Sequence, residues 1–390
     1  MHSPPRTDEL KSSYSLRLRI LKRIEDAGGW IDFHEYMQMA LYDPEFGYYA
    51  SGQIRFGESG DFITAPMIGP HFAQCIARQC AEILNSIEQQ VSARQVRCIL
   101  EFGAGTGHMA TDILQYFESN QWSLDRYLII EPNAGLAARQ KQRIVSKCPQ
   151  LIGRVKWLKE IPRGGFCGVV LANEVLDAMP VSRFQMDERG VAKKMGVVNF
   201  KGELKDKISD MPVDSILQER LSCHELDFGY QGDAGLYAEA WVKTVGESID
   251  NGVILLIDYG FPRREFYHWD RNKGTLMCHY KHQSHADPYL YPGLQDITAH
   301  IDFTSMAEAG IAVGMEVSGF ASQGAFLLSL GLLEQLDSDT VTVDSLNASQ
   351  EIKKLTLPHE MGELFKVLAL TKNYNQPMSG FNMQNHRDRL

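Results

Sequence analysis

Residues 96–107 read Val-Arg-Cys-Ile-Leu-Glu-Phe-Gly-Ala-Gly-Thr-Gly. An apolar run ends in an acid, Glu101, and passes at once into glycines at 103, 105 and 107. Such a run predicts a buried parallel strand. The alternating glycines allow a tight turn and let a ligand lie against bare backbone. Met109, Ile113 and Phe117 then recur on one face of a helix, with Ala110 and Leu114 beside them. Strand, glycine loop and helix form the first half of a nucleotide-binding α/β unit.

The loop narrows the ligand. A dinucleotide fingerprint spaces its glycines G-x-G-x-x-G, so that a pyrophosphate sits on the helix N-terminus. Here the spacing is G-x-G-x-G with a carboxylate just before it. That acid repels a pyrophosphate and suits a cationic group, such as the amino acid end of S-adenosylmethionine (SAM). Gly103, Ala104, Gly105 and Gly107 are therefore read as cofactor backbone, with Glu101 facing the cationic end. Arg126–Glu131 is a second short apolar run ending in an acid. Glu131 lies where such folds place a carboxylate for the ribose hydroxyls. A surface acid at a helix start, favoured by the helix dipole, is its bland alternative.

Composition bounds the class. The chain has 390 residues, 44% of them apolar, and a net charge of −10. It is long enough for a large core and for subdomains. With no long basic run, neither nucleic acid nor an anionic membrane surface is an expected partner. No apolar run approaches the roughly 20 residues of a membrane helix. Seven scattered cysteines form no C-x-x-C. Those cysteines, and an N-terminus without an apolar signal core, give a cytoplasmic reading.

The alternation of elements predicts a doubly wound, mostly parallel α/β sheet. Strands are expected at 96–102, 126–131, 154–158, 168–172 and 253–258, and helices at 12–27, 31–42, 107–118, 133–147 and 236–249. A further helix carries Phe72, Ile76, Cys80, Ile83 and Ile87 on one face. Residues 181–200 read as an antiparallel excursion, and 201–234 show no clear period. Three regions follow: an N-terminal helical and lid region at 1–94, a core at 95–335 with an insertion at about 181–235, and a C-terminal extension at 336–390 whose tip from about Asn373 looks frayed.

Four other places carry candidate chemistry. Asn173, Glu174 and Asp177 follow the fourth strand, where open α/β sheets bind their ligands; helix capping is the competing explanation. Gly60, Asp61 and Thr64 lie in a polar stretch placed to close over the cofactor, unless Thr64 or Asp61 caps the next helix. Asp258 and Tyr259 end a later strand. His285 and Asp296 belong to a polar and histidine-rich stretch, read as a substrate-binding wall. Its spacings match no zinc pattern, so no metal is assigned.

Taken together, these stretches resemble the MidA family of SAM-dependent methyltransferases, related to the mitochondrial complex I assembly methyltransferases. The resemblance rests on Tyr36–Tyr42 with Gly47–Tyr49, Gly60–Pro66, Glu101–Gly107, Asn173–Pro180, Asp258–Gly260, Gly274–Thr275 and Gly293–His300. It implies a class I methyltransferase Rossmann-like fold with an added N-terminal helical region and inserted substrate-binding elements. It also implies SAM as methyl donor, S-adenosylhomocysteine as product, and arginine methylation of a respiratory complex I-type subunit. Glu174, then Asp177, with Asn173, are the acceptor-side candidates. A SAM-binding assembly factor without catalysis and a nicotinamide-dependent oxidoreductase remain alternatives.

Overall fold

The computed structural model describes residues 4–49, 64–88, 96–162, 164–281, 283–335 and 342–390. The chain packs as two units. One comprises Met1–Phe62, Asp177–Glu239 and Phe261–Asp302; the other comprises Ile63–Leu176, Ala240–Gly260 and Phe303–Leu390.

The second unit is built on a sheet. Its elements are α1 (His71–Glu88), β1 (Arg97–Phe102), α2 (His108–Ser119), β2 (Arg126–Ile130), α3 (Ala134–Lys147), β3 (Val155–Leu158), β4 (Phe166–Asn173), β5 (Ile249–Phe261), β6 (Glu316–Ser322), α4 (Gln323–Ser329), α5 (Val343–Thr356) and β7 (Phe365–Lys372). Seven strands run in the order β6-β7-β5-β4-β1-β2-β3. β1 to β5 pair in parallel, and β7 runs antiparallel to both β5 and β6. β4 is buried along its whole length, as an apolar strand in mid-sheet must be. The face of α1 read from the sequence joins Phe72, Ile76, Ile83 and Ile87 to Ile99, Val169 and Leu255 in one core.

The C-terminal residues correct the sequence reading twice. Residues 365–372 are not an appendage but the strand between β5 and β6. The tip is packed rather than frayed: Tyr374, Met378 and Phe381 are buried. Beyond them, residues 384–387 cover the outer edge of β6. Ser322 N and Phe320 N donate to Gln384 Oε1 and Asn385 Oδ1, and His386 N donates to Phe320 O. Asn385 Nδ2 and Arg387 Nη1 donate to Ser318 O and Val317 O. An uncovered edge presents unpaired backbone groups to other chains; here side-chain amides and a guanidinium satisfy them.

The first unit pairs distant segments. Helix Thr7–Asp26 buries Leu16, Ile20 and Ile24. Strand Ile31–Asp32 pairs with Val197 and Gly196 of Ala192–Phe200, and helix Phe33–Tyr42 follows it. Ala192–Phe200 lies antiparallel to Ser182–Met186 and to Glu203–Pro212. Met277–Tyr280 lies between Gln283–His285 and Asp296–Thr298. The N-terminal segment and the insertion expected as separate regions thus share one unit, while 64–88 pack with the sheet. Pairings across more than 160 residues, such as Ile31 with Val197, have no local sequence signal. Among the described residues, no helix is long and apolar enough to cross a membrane.

Removal of residues 384–390 is expected to leave the fold intact while exposing the β6 edge. Light scattering on heating checks this: the truncated protein aggregates at a lower temperature than the full chain, and Gln384→Ala with Asn385→Ala reproduces part of the shift. An unchanged aggregation temperature would mean that the tail does not protect the edge.

Candidate active site

Register places the candidate residues at the carboxyl edge. Phe102 pairs with Ile130 on one side and with Ala172 on the other. The next residue of each strand is then Gly103 in the middle, Glu131 on one side and Asn173 on the other. Asn173 in turn pairs with Ile257, the residue before Asp258.

The turn after β1 needs its glycines. Gly103, Gly105 and Gly107 have φ of +64°, +52° and +81°, a region that side chains with a Cβ disfavour. Gly107 N donates to Ala104 O at 2.7 Å, closing the turn. Space is short as well: a Cβ on Gly107 would lie 3.2 Å from Gln140 Cα, and one on Gly103 would lie 2.9 Å from Val175 Cγ2. α2 starts directly after Gly107.

Glu131 is partly buried and held from two sides. Asn133 N donates to Oε1 and Gln140 Nε2 to Oε2, both at 2.9 Å. Burial raises its pKa, opposed by these two hydrogen bonds. Asn133 caps α3, its side chain accepting from Gly135 N and Leu136 N.

Glu101 is only 1% exposed. Its Oε2 accepts from the Tyr127 hydroxyl at 2.7 Å. Burial pushes its pKa from 4.5 to about 7, the tyrosine hydrogen bond opposing and Glu131 adding to the rise. Tyr127 carried no signal in the sequence beyond strand-forming bulk.

Asn173 ends β4, is 8% exposed, and sends Nδ2 to Glu174 Oε1 at 3.2 Å. Its Oδ1 is buried with no hydrogen-bond partner among the described residues. Buried acceptors are almost always satisfied, so this atom fits a ligand donor at the strand end. Glu174 has φ +51°, a conformation that costs about 1–3 kcal/mol in a non-glycine residue and concentrates at functional sites. Glu174 N donates to Ile257 O, and Leu176 N to Asp258 Oδ2 at 3.1 Å. Asp258 is fully buried, and its Oδ1 accepts from Tyr259 N. Asp258 therefore anchors the 174–176 turn through Leu176 N. Tyr259 packs edge-on against Phe365.

The remaining candidates lie elsewhere. Thr64 precedes a short helix, Ala65–Ile68, and makes no capping hydrogen bond. Gly60 and Asp61 fall outside the described residues. In the other unit, Asp177 is buried, and its carbonyl accepts from Ala299 N. Asp296 is fully buried and accepts from Tyr49 Oη at 2.9 and 3.0 Å. His285 Nδ1 accepts from Asp287 N at 3.3 Å. Asp296 thus holds a tyrosine hydroxyl, and His285 holds its own turn through Nδ1. No group of three or more His, Cys, Asp or Glu arranged to hold a metal occurs among the described residues.

The Glu101 shift sets a pH dependence. A carboxyl whose folded pKa exceeds its unfolded value leaves the unfolded state with fewer bound protons across the window from 4.5 to about 7. Stability then falls as pH rises through that window, and the penalty is complete above it. Glu101→Gln, which keeps an acceptor for Tyr127, is expected to melt higher than the parent at pH 8. The advantage disappears near pH 4.5. Melting curves across this range check it; a pH-independent difference would contradict a charge effect.

Comparison with known proteins bears on this site. A family model of S-adenosyl-L-methionine-dependent methyltransferases matches residues 75–321. A protein from Burkholderia thailandensis described as a likely methyl transferase and crystallised with S-adenosylhomocysteine is 37% identical over 100% of both chains with a TM-score of 0.94. The mitochondrial protein arginine methyltransferase NDUFAF7 homolog of Drosophila melanogaster is 27% identical over 91% of this chain and 83% of its own length. NDUFAF7 of Danio rerio is 26% identical over 92% and 88%. The cytoplasmic reading is overturned by these curated relatives, which are mitochondrial proteins; reduced cysteines do not distinguish the two compartments. These matches, with the glycine turn, show that the chain belongs to the MidA family of S-adenosyl-L-methionine-dependent methyltransferases.

Proposed function

We propose that this methyltransferase acts on arginine side chains of a protein substrate, and that an arginine of a respiratory complex I-type subunit is the acceptor to test first. The observation that carries the acceptor assignment is Glu174, held at φ +51° one residue past the orphaned Asn173 Oδ1. The names of the curated relatives support the same class.

The residues present fit the cofactor. Bound SAM supplies an electrophilic methyl group on a sulfonium centre. Glu131 offers two acceptor oxygens to a ribose diol. Gly103 to Gly107, with Ala104, let the backbone approach closely. Glu101 provides negative charge near the loop once ionised, and Asn173 Oδ1 accepts a ligand N–H or O–H. Thr64 is proposed as a cofactor contact, and Asp258 and Tyr259 as residues bordering the acceptor at the carboxyl edge.

An arginine guanidinium has a pKa above about 12 and is a poor nucleophile while its charge is delocalised. A carboxylate that grips two of its nitrogens orients the third and offsets the charge of the product. Glu174 is assigned that grip, with Asp177 the next carboxylate along the chain. Holding both reactants in line then supplies most of the acceleration.

Glu174→Gln is expected to bind SAM like the parent and to lose turnover about 100-fold or more, the scale for one removed electrostatic stabiliser. Transfer of labelled methyl from SAM to protein, followed by hydrolysis and identification of the methylated amino acid, checks both halves. Label on a residue other than arginine would sink the acceptor class. Full activity of the variant would sink the role of Glu174, and no transfer to any protein would favour the non-catalytic assembly factor.

A further inference from the structure

Gln140 is fully buried in α3, yet both its amide N–H groups and its carbonyl oxygen are hydrogen-bonded. Nε2 donates to Glu131 Oε2 at 2.9 Å and to the carbonyl of Gly105 at 2.9 Å. Oε1 accepts from Trp157 Nε1 at 2.8 Å. One side chain therefore ties the glycine turn after β1, the acid after β2 and a tryptophan of β3. The indole also settles the orientation of the amide. An indole N–H can only donate, so Oε1 must face Trp157 and both N–H bonds must face the loop and the acid. Backbone contact adds to this, since Gly107 lies where a Cβ would sit 3.2 Å from Gln140 Cα.

We infer that Gln140 is a positioning residue that sets cofactor affinity, by fixing the Glu131 carboxylate and the Gly105 carbonyl in their ligand-ready arrangement. The inference rests on the reading that Glu131 takes the ribose diol. Gln140 touches no ligand itself. Its two N–H bonds take up one lone pair of Glu131 and one carbonyl, and Asn133 N takes a lone pair of the other Glu131 oxygen. The carboxylate is left with fixed acceptor directions for a diol, and the ordering is complete before the ligand arrives. Preorganisation of this kind raises affinity by lowering what binding has to order.

The chemistry separates positioning from simple packing. Leucine at 140 keeps the volume and loses all three hydrogen bonds. Glutamate at 140 keeps the acceptor for Trp157 but sets a second carboxylate against Glu131 and against a carbonyl oxygen. Such a pair is relieved when it shares one proton.

Calorimetric titration of the full chain with S-adenosylhomocysteine, with melting curves for each protein, tests the inference. Glu131→Ala is expected to weaken binding at pH 8, which checks the underlying reading. Gln140→Leu is expected to weaken it roughly tenfold or more, the scale of a hydrogen bond to a charged group. In the Glu131→Ala background, Gln140→Leu is expected to cost far less, because the group it positions is gone. Gln140→Glu is expected to bind worst at pH 8 and to recover toward the parent, as a ratio at each pH, when the pH is lowered to about 5.5. If Glu131→Ala binds like the parent, the ribose reading fails. If Glu131→Ala weakens binding but Gln140→Leu does not, or if the two effects simply add, the positioning role fails while the ribose reading stands. A pH-independent loss in a folded Gln140→Glu would overturn the charge argument.

Discussion

The register of β1 between its two parallel neighbours is the constraint on which the rest of the site depends. Because Phe102 is level with both Ile130 and Ala172, the residues that follow these three, Gly103, Glu131 and Asn173, fall in one row. Glycine occupies the middle of that row, so backbone can lie against a ligand. An acid stands on one side and an amide on the other. A one-residue slip would turn every side chain of β1 to the opposite face, bury Phe102 differently and take Glu101 out of reach of Tyr127. The ladder of β4, buried throughout, makes such a slip costly, and so the chemistry at the edge inherits its precision from the core.

Buried acids do much of the positioning. Glu101, Asp258 and Asp296 are 1%, 0% and 0% exposed, and each is met by donors within its own unit: Tyr127, the backbone of Leu176 and Tyr259, and Tyr49. A buried charge without such partners is costly, and one with them holds its neighbours rigidly. Asp258 steadies the turn that carries Glu174 in its strained conformation. Burial leaves Glu101 poised to change charge near neutral pH.

Much of this was legible in the sequence. The apolar run into Gly103, Gly105 and Gly107 marks strand, turn and helix through backbone chemistry alone, and Glu131 and Asn173 stand at the ends of equally apolar runs. The illegible parts have physical reasons. Glu203–Pro212 is an exposed edge strand with Leu204 as its one buried residue, so it shows no alternation. β7 lies far from β5 in the chain and next to it in the sheet. Gln140 reads as one polar position on an amphipathic helix; its importance comes from Trp157, Glu131 and Gly105, which only the fold brings to it. Asp258 and Asp296 stand out in the sequence by chain position alone, which does not reveal the turn backbone and the tyrosine that these acids hold.

The central claim is that the cofactor lies along the row formed by Gly103, Glu131 and Asn173. Hydrogen–deuterium exchange of the full chain with and without S-adenosylhomocysteine tests it most directly. Added protection is expected to concentrate in peptides covering 101–108, 131–140 and 173–176, with the outer strands β6 and β7 unchanged. Protection that leaves these three segments untouched and appears elsewhere would contradict it.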